Sequence, residues 1–526
     1  MMIQTDILVI GSGIAGLCAA LEAARSGKKV LVACKGNACA SSEVMGFNAP
    51  VHGDDSEALF YADTMKSGEE INRSELVRTL SKESVKRIPY MEELGLVFDK
   101  NPDGTYNGMQ ALGNSYPRIV HHMGVTGIKS MELLLTECRH QGVSFKENFR
   151  VCDLLVCGQR VYGAVGYERE SGSWTPIAAE AVILATGGCG AIHAVSTYPP
   201  GMTGDGYAMA YRAGAELVDM EFMQFEPCCF VYPGQLAGRI IVTTMLNEGG
   251  KLLNGQGREF MLDTPGGYKV QKGELSREIA KEIARGNGTS HGGVFFDVTA
   301  LPEKRVNVDC SLFSGPARAA GIDMTKEACE VAPAAHTFLG GVAINGTCET
   351  TVQGLFAAGE VTGGLHGANR LGGNAGAEIY TFGVIAGRSA AAYSRNEGPD
   401  LKRAESLACE YCSRSGIQTD PEDKEAVKRL QYVIGESLGI FRDEQTMRKA
   451  FRDIEKIEKA FLCRGITIKN MILITKLQLM SSLERKESRG VFYRTDYPEK
   501  QDNSWKKNIY IRQSGKESAM DIRDAL

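Results

Sequence analysis

Gly11-Ser12-Gly13-Ile14-Ala15-Gly16 stands between an apolar run, Ile7-Leu8-Val9-Ile10, and an alanine-rich stretch from Ala15 to Ser26. Glycines at the first, third and sixth positions of such a turn have three uses: they let the chain reverse tightly, admit a pyrophosphate to the helix N-terminus, and allow helix and strand to pack closely. Gly27 and a second apolar run, Val30 to Ala33, complete a strand, helix and strand in 35 residues or so. The chain is therefore expected to open with a Rossmann-type dinucleotide-binding unit. An acid about twenty residues on would bond the adenosine ribose. Here the second strand ends Ala33-Cys34-Lys35, which disfavours a plain nicotinamide dehydrogenase.

The strand-then-glycine pattern returns twice, at Ala181–Ala185 before Thr186-Gly187-Gly188 and at Gly354 to Glu360. One sheet assembled from such distant segments implies an insertion. The expected fold class is α/β, with a Rossmann-type FAD-binding domain in two parts (1–220 and 345–415), an inserted α+β capping domain (221–344) and a C-terminal helical domain (416–526). In the last, Met447, Phe451, Ile454 and Phe461 recur at helical spacing, as do Leu473, Leu477 and Met480. The tail from Tyr497 is rich in polar residues and is expected to wrap the surface. A chain of 526 residues exceeds what one core supports.

Composition excludes several partners. Net charge is −5, with Lys and Arg interspersed among acids, so no nucleic-acid footprint is expected. No apolar run approaches the roughly 18 residues that span a bilayer, and no leader-type segment precedes Ile7, so the expectation is a cytoplasmic protein without membrane insertion. Fifteen cysteines form no regular framework and read as reduced thiols. Cys409-Glu-Tyr-Cys412 lacks the four ligands a zinc or iron–sulfur site requires, and no metal is expected.

Three further stretches carry a resemblance: Ala335-His336-Thr337-Phe338-Leu339-Gly340-Gly341, Gly359-Glu360, and His366-Gly367-Ala368-Asn369-Arg370-Leu371-Gly372-Gly373-Asn374. With the N-terminal glycine turn, the chain resembles the flavoprotein subunits of succinate dehydrogenases and fumarate reductases and the related L-aspartate oxidases. The resemblance implies FAD held by Gly11, Gly13, Ile14, Ala15, Gly16, Cys34, Lys35, Ser41, Ser42, Ala185, Thr186, Gly187, Asp205, Glu360, Arg370, Asn374 and Ala375. Backbone amides would meet the phosphates and carboxylates the sugar hydroxyls. Cys34 stands where the family commonly has serine. Members that tether FAD do so through histidine in a Ser-His-Thr segment; the corresponding Ser41-Ser42-Glu43-Val44 has none, so a non-covalent cofactor is expected.

Reduction of an activated alkene needs a hydride at one carbon, a proton at its neighbour, and positive charge to hold the enolate-like density. The resemblance assigns these tasks to Arg277 as proton donor with Glu278 as relay, and to His336 and Arg370 as carboxylate anchors. Thr126 and Thr243 are further implied substrate contacts. Where dicarboxylate-binding members read Gln-Phe-His-Pro-Thr, this chain reads Gln224-Phe225-Glu226-Pro227-Cys228. A carboxylate at Glu226 would repel a second substrate carboxylate, so the expected substrate is a small organic acid other than fumarate, its far end donating to Glu226. The resemblance leaves two alternatives: amine oxidation of the L-aspartate oxidase kind, or a catalytically silent flavin-binding role. Electrons would come from an external partner such as an iron–sulfur protein, ferredoxin or reduced flavin.

Overall fold

The computed structural model describes residues 2–36, 39–394, 397–415, 424–461, 465–515 and 517–525; the sequence-based boundary at 416 lies outside them. Strand β1 (Ile3–Ile10), helix α1 (Ile14–Arg25) and strand β2 (Val30–Ala33) form the opening unit. Helix α2 (Thr126–His140) leads to β3 (Ser144–Lys146), followed by a meander of β4 (Phe149–Cys157), β5 (Arg160–Glu168) and β6 (Trp174–Leu184). The sheet order is β3-β2-β1-β6-β5-β4. Strand β6 joins two kinds of structure: β5 pairs antiparallel with Trp174–Ala178, and Val182–Leu184 lie parallel to the later strand Leu355–Ala357. The other edge of β6 runs parallel to β1 from Ile3↔Ile177 to Ile10↔Leu184. Residues buried on both faces, such as Ile7, Leu8, Val9, Val182 and Ile183, explain why these strands read as unbroken apolar runs.

The insertion has its own antiparallel sheet. Strands β7 (Met223–Phe230), β8 (Lys251–Leu253), β9 (Val294–Asp297) and β10 (Cys329–Phe338) stand in the order β7-β10-β9-β8, with helix α3 (Lys272–Glu282) against β7. A separate core runs from Cys228 and Phe230 through Phe296 to Val331. Between β7 and β10 the register changes: Gln224 pairs with Thr337 but Phe225 with Ala335. His336 is the extra residue on its strand. Such a bulge bends the strand and re-aims a side chain.

The chain then returns to the first sheet through β11 (Leu355–Ala357) and helix α4 (Asn374–Tyr393), which packs on α1. Helices α5 (Lys424–Ser437), α6 (Glu444–Phe461) and α7 (Ile466–Glu484) follow. Helix α7 is buried on most of its circumference, from Ile466 and Ile468 to Leu477 and Leu479, so it forms the centre of this region. The tail differs from the polar wrap expected from its composition. Residues Lys507–Ser514 (β12) and Glu517–Asp524 (β13) form a hairpin, and β12 pairs with the short strand Leu217–Val218. The physical reason is the short run Ile509-Tyr510-Ile511, whose members are at most 9% exposed.

Buried ion pairs tie this region to the rest. Arg485 reaches Glu221 at 2.6 Å and Glu487 at 2.9 Å, and all three side chains are fully enclosed. Glu487 also takes Arg489 at 2.7 Å. Burial alone would push the neighbouring carboxyls up: Asp219, beside Glu221, is raised to about 8. Arg485→Ala would leave Glu221 enclosed with an uncompensated charge, and the expected loss is about 3–5 kcal/mol. A urea unfolding midpoint unchanged from the parent would contradict this account.

Candidate functional site

A cavity of about 820 Å³ runs between the flavin-type domain and the cap. One end is lined by Gly11, Ser12, Gly13 and Ala15 with Cys34 and Lys35; the other by Lys272, His336 and Arg370; Ser41, Ala185, Thr186, Gly187, Glu360 and Ala375 also line it. Backbone forms the first end because side chains cannot. Gly11 has φ +113°, and a Cβ there would stand 2.2 Å from the Ala185 carbonyl oxygen. Gly16 serves packing instead, since a Cβ would lie 2.1 Å from the Gly11 oxygen. Buried polar atoms without protein partners, Thr186 Oγ1 and Arg370 Nε, belong to two residues that line the same cavity. The donor-rich, apolar-walled slot fits a dinucleotide with a flat ring.

The charged end is a short chain of side chains. Lys272 Nζ is 2.6 Å from Glu226 Oε2, that carboxylate is 3.6 Å from His336 Nε2, and Nε2 is 3.3 Å from Arg370 Nη2. Arginine can only donate, so His336 Nε2 accepts and Nδ1–H donates to Thr197 Oγ1 at 3.0 Å. Gln224 Nε2 steadies the loop by donating to Asn369 Oδ1 at 2.9 Å and to the Arg370 carbonyl at 3.2 Å. Burial pushes His336 down to about 3; Glu226 opposes this, and the Arg370 and Lys272 charges add to it. Burial would raise Glu226, yet Lys272, His336 and Arg370 hold it below the usual carboxylate range. With the imidazole neutral, Lys272 and Arg370 are the cations of this end, and Glu226, Glu360 and Glu378 act on Arg370.

The sequence as a whole matches known proteins. The FAD binding domain model matches residues 6–375, and the fumarate reductase flavoprotein C-terminal model matches residues 461–525. A polypeptide of the CoM/CoB fumarate reductase of Methanothermobacter marburgensis is 34% identical, with 97% of each chain covered. An uncharacterised FAD-dependent oxidoreductase of Methanocaldococcus jannaschii is 36% identical over 97% of this chain and 96% of its own. The L-aspartate oxidase of Yersinia pestis is 31% identical over 95% and 97%. Among solved structures, a mutated FrdA of Escherichia coli quinol fumarate reductase superposes with a TM-score of 0.92 at 27% identity, covering 100% of this chain and 97% of that one. The chain belongs to the fumarate reductase and succinate dehydrogenase flavoprotein family. Its cofactor is FAD, and like its L-aspartate oxidase relatives it is an FAD-dependent oxidoreductase.

Within this family frame, the residues singled out in the sequence fall into two groups. His336, Arg370, Thr243, Glu360 and the Gly11 turn all line the cavity. Several others do not. Ile14 is sealed in the core. Ser42 donates to the Cys39 carbonyl at 3.0 Å, while its neighbour Ser41 accepts from Ile14 N–H at 3.1 Å. Asn374 is fully enclosed between Asn48 and Thr64. Thr126, expected at the substrate, is fully enclosed at the start of α2, where its hydroxyl accepts from His122 N–H at 2.9 Å and donates to the Met45 carbonyl. Carboxylates expected on cofactor sugars are partly committed. Asp205 takes Lys35 at 2.8 Å, Arg150 at 3.0 Å and Asn470 at 2.8 Å. Glu360 accepts from Tyr198 and from Phe338 N–H, and burial lifts it to about 7.

Helix α3 separates the cations that its sequence places side by side. Leu275, Ser276 and Ile279 face β7, with Ser276 Oγ donating to the Phe225 carbonyl at 3.2 Å. Lys272 lies one turn before Ser276 on that side, whereas Arg277 is about 140° further round from Lys272. Arg277 Nη1 donates to the Gly490 carbonyl at 2.9 Å, its guanidinium lies 5.6 Å from the Tyr493 ring centre, and Glu278 pairs with Lys281 at 2.7 Å. Neither Arg277 nor Glu278 lines the cavity. The repulsion expected from Glu226 is also corrected: Lys272 neutralises that carboxylate, so its charge does not bar a second substrate carboxylate. Lys272 belongs to no sequence motif, because only the fold brings it to Glu226.

Flavin attachment and histidine charge can each be checked directly. Precipitating the holoprotein with trichloroacetic acid should leave the yellow flavin in the supernatant; colour in the pellet would mean a covalent bond. Since burial holds His336 down at about 3, the ring is neutral across the working range, and carboxylate binding should show no step near the ordinary histidine value of about 6.5. A spectral titration of the flavin band between about pH 5 and 8 would reveal one.

Proposed function

We propose that the protein transfers a hydride between FAD and a carbon–carbon bond adjacent to a carboxylate, acting on a small organic acid. The supporting observation is that Arg370 and His336 open into the same cavity that the Gly11 turn lines. FAD supplies the hydride donor or acceptor. Arg370 supplies a planar guanidinium whose Nη1 donates to the Leu371 carbonyl and Nη2 to His336, with Nε uncommitted to protein, a shape suited to a carboxylate. His336 holds that fork through Nε2 and is held in turn by Thr197. As the carboxylate gains enolate-like density, fixed donors in an apolar-walled site stabilise it without reorganising.

Arg277, the proton donor the family resemblance implies, would deliver a proton to the neighbouring carbon only by leaving the Gly490 carbonyl and turning into the cavity it does not line. Burial lowers its affinity for the proton, against the pull of Glu274 and Glu278, which is the direction an arginine acid requires. The electron partner in this reading is an external carrier such as an iron–sulfur protein, ferredoxin or reduced flavin; the Methanothermobacter relative, named as one subunit of a reductase, supports one. A second reading, amine oxidation, is favoured by the L-aspartate oxidase relatives.

The test is anaerobic. Holoprotein reduced by light should recover its oxidised flavin band when mixed with a 2-enoate, and L-aspartate in air should yield no hydrogen peroxide. Peroxide from L-aspartate without enoate turnover would establish the second reading, and inertness to both would mark a silent flavoprotein. Arg370→Ala should retain flavin and cut enoate turnover by about a hundredfold or more. Arg277→Ala should likewise keep flavin and lose turnover; unchanged turnover would remove Arg277 from the mechanism.

A further inference from the structure

Cys409 and Cys412 take no part in the chemistry above, and no residue of their helix, Leu401–Ser415, lines the cavity. Cysteine is among the side chains most often enclosed. Among the described cysteines of this chain, Cys39 and Cys157 are half-buried, Cys409 and Cys412 are exposed, and all the others are buried. The helix explains why both point outward. Ala404 and Ala408 are buried against Leu155 of β4, Val165 of β5 and Ala178 of β6, with Leu401 and Tyr411 packed at the margin. Those four helix residues recur at helical spacing and define the inner face. Cys409 and Cys412 each follow an inner-face residue by one position, so both turn about 100° away from it, to the same side.

Side chains three positions apart on a helix have Cβ atoms about 5–6 Å from each other. A disulfide needs about 3.5–4.5 Å, so this pair does not close one without unwinding its turn. A cation held linearly between two sulfurs, each at about 2.3 Å as in zinc thiolates, needs them about 4.6 Å apart. Rotation about the two Cα–Cβ bonds supplies that. Burial pushes the Cys412 thiol up and the Cys409 charge adds to it, which places the two sulfurs within electrostatic reach. Among the described residues, no third histidine, cysteine or carboxylate joins them in a metal-holding group. Zinc takes four ligands and iron–sulfur clusters take four cysteines. Of the ions that thiolates select, monovalent copper is the one that two ligands satisfy.

We propose that Cys409 and Cys412 form a surface site for one monovalent copper ion, separate from the flavin cavity. On binding, both thiols lose their protons to solvent and two sulfur–copper bonds form. The copper stays monovalent, so nothing is oxidised or reduced. The occupied site carries one net negative charge on the outer face of the helix.

The experiment titrates the full-length holoprotein, its thiols reduced, with copper(I) under anaerobic conditions, against a chromophoric copper(I) chelator that keeps unbound metal scarce. The parent should withdraw one equivalent from the chelator and gain an ultraviolet sulfur-to-copper charge-transfer band in the difference spectrum. Replacing a group that merely supports a metal ligand costs about 10–100-fold in affinity. Loss of a ligand itself, in Cys409→Ser or in Cys412→Ser, should therefore weaken copper about a hundredfold or more, with flavin content and the unfolding midpoint unchanged. Cys157→Ser should bind copper as the parent does, silver(I) should displace the copper, and zinc at the same concentration should not. A parent that takes no copper from the chelator would overturn the proposal. So would full affinity in either single variant at positions 409 and 412, a loss in Cys157→Ser, or zinc held as tightly as copper.

Discussion

Backbone contact between the Gly11 turn and the end of β6 is what the rest of the molecule is built around. No side chain fits between Gly11 and the Ala185 carbonyl, so the turn, the helix behind it and the central strand are fixed as one body. Because β6 also carries β5 on its first half and β11 on its second, the same strand sets where the chain departs for the cap and where it returns. The cavity lies where those departures meet. Its cofactor end is consequently closed at the Gly11 turn by main chain, and its charged end by side chains.

Electrostatics are distributed in keeping with that division. The C-terminal region is tied down by enclosed arginines, Arg485 and Arg489 against Glu221 and Glu487. Removing one partner from such a group costs far more than forming it gains, so these groups enforce a unique docking more than they stabilise. At the charged end of the cavity Glu226 pairs with Lys272, and burial keeps His336 neutral beside Arg370.

Motifs within a few residues of one another were legible because local geometry alone dictates them. The glycine turn, the apolar runs of β1, β2 and β6, and the His336 and Arg370 segments all lie on the structure's cavity or its supporting sheet. Side-chain direction was less legible. Ser42, Thr126 and Asn374 sit in correctly located segments yet turn into the protein to satisfy backbone and side-chain partners. The tail illustrates the same gap, since the run through Ile509 and Ile511 pairs with Glu517–Asp524 on one side and Leu217–Val218 on the other.

Residue order was enough to specify the dinucleotide turn and the interrupted sheet, since these follow from residue types at short, fixed spacings, while the family and its FAD were implied by a resemblance of whole motifs. It took the packed fold to bring Glu226 to Lys272, to set His336 on a bulge facing Arg370, and to turn Arg277 toward Gly490. Those pairings join residues 34 to 213 positions apart. A linear pattern carries no information about the angle around a helix or the register between strands until both are packed against something else.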